Sequence, residues 1–183
     1  MNKNIASAFE NKKAFIGFVT AGDPDLDTSR QILLEMAKNG CDLIEVGIPF
    51  SDPIAEGPVI QEANIRALAQ GVTTDKVFDL VAEVSAQMDI PLVFMTYLNV
   101  LFRYGYDRFC RRAADSGISG VIVPDLPYEE KARAVRCCQK VRHCCDLFGS
   151  AHQPRAGDDD RQGGRGFLVP GVLHGCNRHP QQD

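Results

Sequence analysis

The sequence predicts an α/β fold built on a parallel sheet. Four short apolar runs lack an alternation of polar side chains, which is typical of strands covered on both faces. Segments with helical spacing of apolar residues separate these runs, and glycine or proline closes most of the segments. Strands that alternate with helices in this way form a parallel sheet with helices packed against it.

The first two strands are predicted over residues 14–22 (AFIGFVTAG) and 41–47 (CDLIEVG). Between them, apolar residues recur at helical spacing. We expect Asp27 or Thr28 to cap this helix, because their side chains can accept hydrogen bonds from its first N–H groups. Gly40 is expected to end it.

The next units repeat the pattern. A short helix is predicted over residues 61–69, and Thr73 or Thr74 is expected to cap the helix that follows. The third strand is predicted over residues 91–97 (PLVFMTY). A helix over residues 106–116 and a fourth strand over residues 120–127 (GVIVPDLP) complete the series. Four such units fit either half of a (β/α)8 barrel or a doubly wound sheet, although no GxGxxG or Walker sequence supports a nucleotide-binding fold.

Composition narrows the class of protein further. The chain has 183 residues, of which 44% are hydrophobic, and its net charge is −4. These values predict one globular domain and argue against disorder and against a nucleic-acid surface. No apolar run approaches the roughly 20 residues of a membrane span, and the first residues lack the apolar core of a signal peptide. We therefore expect no membrane partner and a cytoplasmic location.

The segment with the clearest chemical content is residues 44–61, IEVGIPFSDPIAEGPVIQ. Glu45 stands at the end of an apolar strand, and Asp52 and Glu56 follow in a loop stiffened by three prolines. Carboxylates that emerge at the C-terminal ends of parallel strands lie where α/β barrels carry out their chemistry. The alternative is that the loop acids are simply solvated.

This segment closely resembles the signature of the tryptophan synthase alpha subunit. Three further stretches, FVTAGDPD, TYLNVLFRYG and GVIVPDLPYEE, resemble the same family in the same order, so the resemblance covers about residues 9–130. It implies a (β/α)8 TIM barrel, of which the first four β/α units are recognisable here as residues 1–130.

The resemblance also implies a reaction and two catalytic carboxylates. The family cleaves indole-3-glycerol phosphate to indole and glyceraldehyde 3-phosphate by a retro-aldol reaction. Glu45 matches the acid-base glutamate, and burial at an apolar strand end is expected to raise its pKa. Glu56 matches the second carboxylate, which is more often aspartate, and would accept a hydrogen bond from the indole N–H.

Other site residues follow from the same resemblance. Phe18, Tyr97 and Asn99 would contribute to the substrate pocket, although Phe18 and Tyr97 could equally be core residues. Asp52 would lie in the loop that communicates with the beta subunit, and Asp125 at the partner-facing rim or the edge of the site; an ordinary turn would also explain Asp52. No metal and no cofactor is expected in this chain, because pyridoxal phosphate belongs to the family's beta subunit, with which an α2β2 heterotetramer is expected.

The sequence changes character after Glu130. Residues 131–183 hold five of the seven cysteines and all four histidines, with no visible alternation of strands and helices. The tail could be disordered. The adjacent cysteines have poor zinc spacing, so a metal site is not favoured.

A change of reading frame is the sharper hypothesis for the tail. One permitted set of codons for residues 168–178 reads LYLVSSMGVTG after removal of a single base, and SSMGVTG resembles the family's sixth strand and the start of its mobile loop. The GGRG sequence at residues 163–166 lacks the strand and helix of a phosphate site. We therefore expect this chain to be inactive as translated. The alternatives are a non-catalytic module that binds or regulates the beta subunit, and another phosphate-binding barrel lyase or isomerase.

Overall fold

The fold is centred on a parallel five-stranded sheet. The computed structural model describes residues 5–10, 13–54, 56–126 and 146–149. The strands are β1 (Ile16–Thr20), β2 (Leu43–Gly47), β3 (Leu92–Met95), β4 (Gly120–Val123) and β5 (Asp146–Gly149). Each strand pairs in parallel with the next one along the chain, in the order β1-β2-β3-β4-β5.

This strand order decides between the two architectures that the residues alone left open. In a doubly wound sheet the order reverses at a switch point, whereas in a (β/α)8 barrel every strand lies beside its successor. The described strands follow their chain order without a reversal. The prediction of a barrel-type α/β fold is therefore confirmed.

Five α-helices and one short 3₁₀ helix accompany these strands in the described residues. The α-helices are α1 (Leu26–Lys38), α2 (Pro58–Ala69), α3 (Thr74–Ser85), α4 (Leu98–Tyr104) and α5 (Tyr106–Asp115), and the 3₁₀ helix spans Ile5–Phe9. Thr73 caps α3 by accepting a hydrogen bond from the Lys76 N–H, as one of the two predicted alternatives.

Two helix starts differ from the prediction. Asp25, and not Asp27 or Thr28, caps α1, because its carboxylate accepts from both the backbone N–H and the hydroxyl of Thr28. Helix α2 begins at Pro58, three residues before the predicted start at Gln61. Proline suits the first helical position because the N–H that it lacks would have no partner within the helix there.

Three elements were not predicted at all: the 3₁₀ helix, α4 and β5. Helix α4 lacks a side-chain cap of its own at Tyr97, and the Leu98 N–H donates instead to Asp125, which is 27 residues away in the sequence. A cap supplied from that distance leaves no local signal. Strand β5 lies after Glu130, where no strand was expected. The remaining predictions for residues 131–183, including the change of frame, concern residues 131–145 and 150–183, which lie outside the described residues.

The sheet has an outer and an inner face. Alternate residues such as Ile44, Val46 and Phe94 belong to a large buried cluster with the helices. The residues between them face the other way, and Leu43 and Val93 form a smaller cluster with the 3₁₀ helix. That helix covers the inner face near the N-terminal ends of the strands, which leaves the opposite ends for the site.

An aromatic cluster packs against the helix-covered face of β3. Phe78 of α3 packs edge-on against Phe94 of β3 with ring centroids 5.3 Å apart, and Phe109 of α5 lies 5.2 Å from Phe78. All three side chains are fully buried. The strand that delivers Tyr97 to the site therefore rests on rigid packing.

Candidate active site

Glu45 occupies the inner face of the sheet. It lies on β2 directly between Phe18 of β1 and Val93 of β3. Its side chain is only 3% exposed, and its Oε1 atom has no hydrogen-bond partner among the described residues. Because burial disfavours the charged form, the pKa of Glu45 rises from its ordinary 4.5 to about 7. The expected rise is confirmed, and a carboxyl with this pKa can both give and take a proton near neutrality.

A pocket opens at the C-terminal ends of β1 to β3. It encloses about 260 Å³, including open space at its mouth, and its walls include Phe18, Phe50, Tyr97 and Glu56. Glu45 does not line this space directly. It lies two residues before Gly47, which does line it, and it neighbours Phe18 across the strands. Glu45 thus adjoins the inner end of an aromatic pocket.

Gly47 allows the Phe18 ring to form part of the pocket wall. A Cβ atom at Gly47 would lie 2.7 Å from Cζ of Phe18, which is closer than non-bonded carbon atoms approach. Because Gly47 has no Cβ atom, the Phe18 ring can lie directly over it. Phe18 and Gly47 therefore both line the pocket, and the sequence analysis did not identify Gly47.

Tyr97 connects the β2–α2 loop, residues 48–57, to the end of β3. Its hydroxyl donates a hydrogen bond to Oε2 of Glu56 and accepts one from the Ile54 N–H at 3.1 Å. Its ring lies 5.2 Å from the ring of Phe50. Glu56 and Tyr97, both predicted site residues, are thus brought into direct contact.

Asn64 is a further residue of the site that sequence reasoning missed. It is buried in α2, where its Oδ1 accepts from the Phe50 N–H at 3.2 Å and its Nδ2 donates to the Ile60 carbonyl at 3.0 Å. The Gln61 side chain holds the other end of the loop through the Glu56 carbonyl. A buried asparagine inside a helix was the available signal, since buried polar groups need partners.

The remaining predicted residues lie away from the pocket walls. Asn99 is exposed on α4 and does not line the pocket. Asp52 is exposed in the loop and accepts a hydrogen bond from the Ser51 hydroxyl. Asp125 is half-buried at the end of β4, where it anchors the start of α4 through the Leu98 N–H at 2.8 Å.

Two further observations concern metals and membranes. In the described ranges, no group of three His, Cys, Asp or Glu side chains could hold a metal ion. No helix in this part of the chain is long and apolar enough to cross a membrane.

Comparison with known proteins assigns the family. Residues 5–145 match the sequence model of the family described as Tryptophan synthase alpha chain, so the match continues past Glu130, where the recognisable resemblance ended. The chain is 48% identical over 136 residues to the tryptophan synthase alpha chain of Lacticaseibacillus casei, covering 74% of this chain and 51% of that one. It is 51% identical over 127 residues to that of Petrotoga mobilis, covering 69% and 49%.

Solved structures agree with this assignment. A crystal structure of tryptophan synthase from M. tuberculosis superposes with a TM-score of 0.82 at 31% identity, covering 92% of this chain and 70% of that one. The chain spans about half the length of the curated relatives that it matches. The family match, the parallel barrel-type sheet and the matching relatives agree with one another. Together they show that the chain belongs to the tryptophan synthase alpha chain family, a family of lyases.

Proposed function

We propose that this chain carries the first half of the site that cleaves indole-3-glycerol phosphate to indole and glyceraldehyde 3-phosphate. The observation that carries this proposal is Glu45, a carboxyl buried on the inner face of the sheet with a pKa of about 7. A general acid-base group works best when its pKa lies near the working pH. Desolvation of the buried carboxyl raises the pKa of Glu45 to this value.

The two carboxylates would divide the chemistry. Glu45 delivers a proton to C3 of the indole and removes the proton of the side-chain hydroxyl. The bond between C3 and the side chain then breaks, with its electrons returning to the indole ring and the aldehyde forming on the other fragment. Glu56 accepts a hydrogen bond from the indole N–H and stabilises the positive charge that develops on C3 protonation. Such a division of roles is typical of paired carboxylates in unlike environments.

The pocket walls suit a flat aromatic substrate. Phe18, Phe50 and Tyr97 line the space, and Glu56 provides an anionic acceptor at its side. Aromatic side chains bury large apolar surfaces and prefer offset or edge-on contact with another ring. We keep Asn99 as a substrate contact only for the part of the ligand that extends beyond the pocket, because it is exposed on α4.

A beta subunit is the partner that we propose. Ile54 and Val59 are 80% and 77% exposed at the loop and the first turn of α2, on both sides of Glu56. Exposed apolar side chains beside a polar site are typical of protein interfaces. Asp52 and Asp125 would lie at this interface or at its rim, the beta subunit would hold pyridoxal phosphate, and the assembly would be an α2β2 heterotetramer in the cytoplasm.

The activity of the chain as it stands is a separate part of the proposal. Family barrels bind phosphate with loops after their last strands, and the described residues reach only β5. We propose that the chain as translated releases no indole, for want of this phosphate site. The second candidate function, a non-catalytic module that binds the beta subunit, is favoured by the exposed Ile54 and Val59.

One assay separates these functions. Indole release from indole-3-glycerol phosphate is measured with the purified chain as translated and with its frame-repaired form, each with and without a pyridoxal-phosphate beta subunit. Release that is lost in Glu45→Gln supports the lyase function. Co-purification with the beta subunit without any indole release supports the binding module, and neither binding nor release refutes both. Resequencing the gene through the codon for Arg178 tests the proposed change of frame, and an unchanged frame refutes it.

A further inference from the structure

The Tyr97 hydroxyl is hydrogen-bonded to Ile54 and Glu56 on one loop, and the chemistry of these two groups determines its orientation. The Ile54 backbone N–H can only donate, so the phenol oxygen accepts from it at 3.1 Å. The phenol proton is therefore directed to Oε2 of Glu56. A hydroxyl carries a single proton, so the Ile54 contact fixes which way that proton points.

This arrangement holds the Glu56 carboxylate from the end of β3, outside its own loop. Glu56 follows the strand end by nine residues and is only half-buried. Glutamate has one more rotatable bond than the aspartate that the family more often uses here, and ordering such a side chain costs conformational entropy. Tyr97 is itself well ordered, because it is buried and packs against the Phe50 ring.

We propose that Tyr97 is a positioning residue for Glu56. Its hydroxyl donates a hydrogen bond to Oε2, and this bond orients the carboxylate so that Oε1 faces an N–H donor of an aromatic ligand in the pocket. This inference rests on the proposed function, since it concerns the same pocket. It goes beyond that function, because recognition of the ligand N–H then depends on Tyr97, which does not itself contact the N–H. Glu56, through Oε1, is the group that touches the ligand.

The test compares two ligands that differ at one atom. Indole has an N–H group, and benzofuran has an oxygen in its place with nearly the same shape. The chain contains no tryptophan, so the fluorescence of bound indole is measured without a tryptophan background by exciting beyond the tyrosine absorption band, and benzofuran is measured by displacement of indole. For the wild-type chain we expect indole to bind about tenfold more tightly than benzofuran, as one hydrogen bond to a charged group would give.

Tyr97→Phe keeps the ring and removes only the hydroxyl. If Tyr97 positions Glu56, this variant loses most of the preference for indole and binds benzofuran as the wild type does. In the Glu56→Ala background the same change has no further effect on the preference. If Tyr97 only supports the pocket, Tyr97→Phe weakens both ligands equally and leaves the preference unchanged, which would overturn the proposal.

Tyr104→Phe is the matched control. Tyr104 also donates its hydroxyl to a carboxylate, that of Asp75, but it does not line the pocket. We expect this variant to keep the wild-type preference. A wild-type chain that does not distinguish indole from benzofuran would also overturn the proposal. A frame-repaired chain that shows the preference, yet releases no indole from indole-3-glycerol phosphate, would refute the proposed lyase function and leave the role of Tyr97 intact.

Discussion

Replacing Glu45 by glutamine tests two effects of this residue separately: its contribution to indole release and its effect on the free energy of unfolding. Glutamine keeps nearly the same shape and resembles the protonated carboxyl, but it cannot titrate. The structure places this carboxyl in a site that is 3% exposed, with one oxygen lacking a partner among the described residues. We therefore expect Glu45→Gln to remove indole release and to stabilise the fold at alkaline pH.

The size of the stability effect follows from the pKa. Folding raises the pKa of Glu45 from 4.5 to about 7, so between these values the folded state binds more protons than the unfolded state. The wild-type chain then loses stability as the pH rises through this range. The full difference is about 3 kcal/mol and is reached above pH 7. Because the glutamine variant does not share this loss, it gains on the wild type as the pH rises.

The assay is urea unfolding followed by circular dichroism at pH 4.5 and pH 8.5, at equal protein concentration. Glu45→Gln and the wild type should differ little at pH 4.5, and the variant should be more stable by about 3 kcal/mol at pH 8.5. Glu62→Gln is the control, because Glu62 is 71% exposed on α2 and should show no such change. In a chain that releases indole, activity should fall at least about 10²-fold.

Two results would refute this reasoning. Equal stability of wild type and variant at both pH values would mean that Glu45 is not held in a desolvated environment. Retention of more than half of the activity would remove Glu45 from the mechanism, whatever its pKa.

Three further predictions concern the loop, the pocket wall and the sheet. Glu56→Asp should be tolerated and Glu56→Ala should lose indole release, because only the alanine variant lacks an acceptor for the developing charge; equal, near-wild-type rates in both variants would make Glu56 a solvated loop acid. Gly47→Ala should weaken indole binding about tenfold or more, because the new Cβ would lie 2.7 Å from Cζ of Phe18 and the ring would have to move. An unchanged dissociation constant for indole would show that Phe18 does not form part of the pocket wall. The chain should aggregate or be recovered as an oligomer, because Ile16 and Phe18 on the inner face of the sheet remain half-buried; light scattering of a monomer with a cooperative melting transition would contradict this.

The site was predictable to the extent that its residues lie on or directly after strands. Glu45 was identified from its place at the end of an apolar strand and from the family signature, and its raised pKa followed from burial alone. Phe18 and Tyr97 were placed by resemblance, and both line the pocket. Asn99 was placed in the same way, but the first turn of α4 leaves it exposed.

The role of Asn64 and the contact between Tyr97 and Glu56 were not predictable. These contacts join residues that are separated by 14 and 41 positions in the sequence, and no local pattern encodes such a distance. The start of α4 is a similar case, since its backbone partner Asp125 lies on another β/α unit.

The sequence by itself determined the alternation of strands and helices, the family and the buried acidic residue that adjoins the pocket. It did so because apolar periodicity and residue type act locally along each segment. Only the tertiary structure showed the strand order, which confirmed the barrel-type sheet that the family resemblance predicted. It also decided which oxygen of Glu56 is held, because a hydrogen bond forms only between atoms that the packing of distant segments brings within about 3 Å of each other.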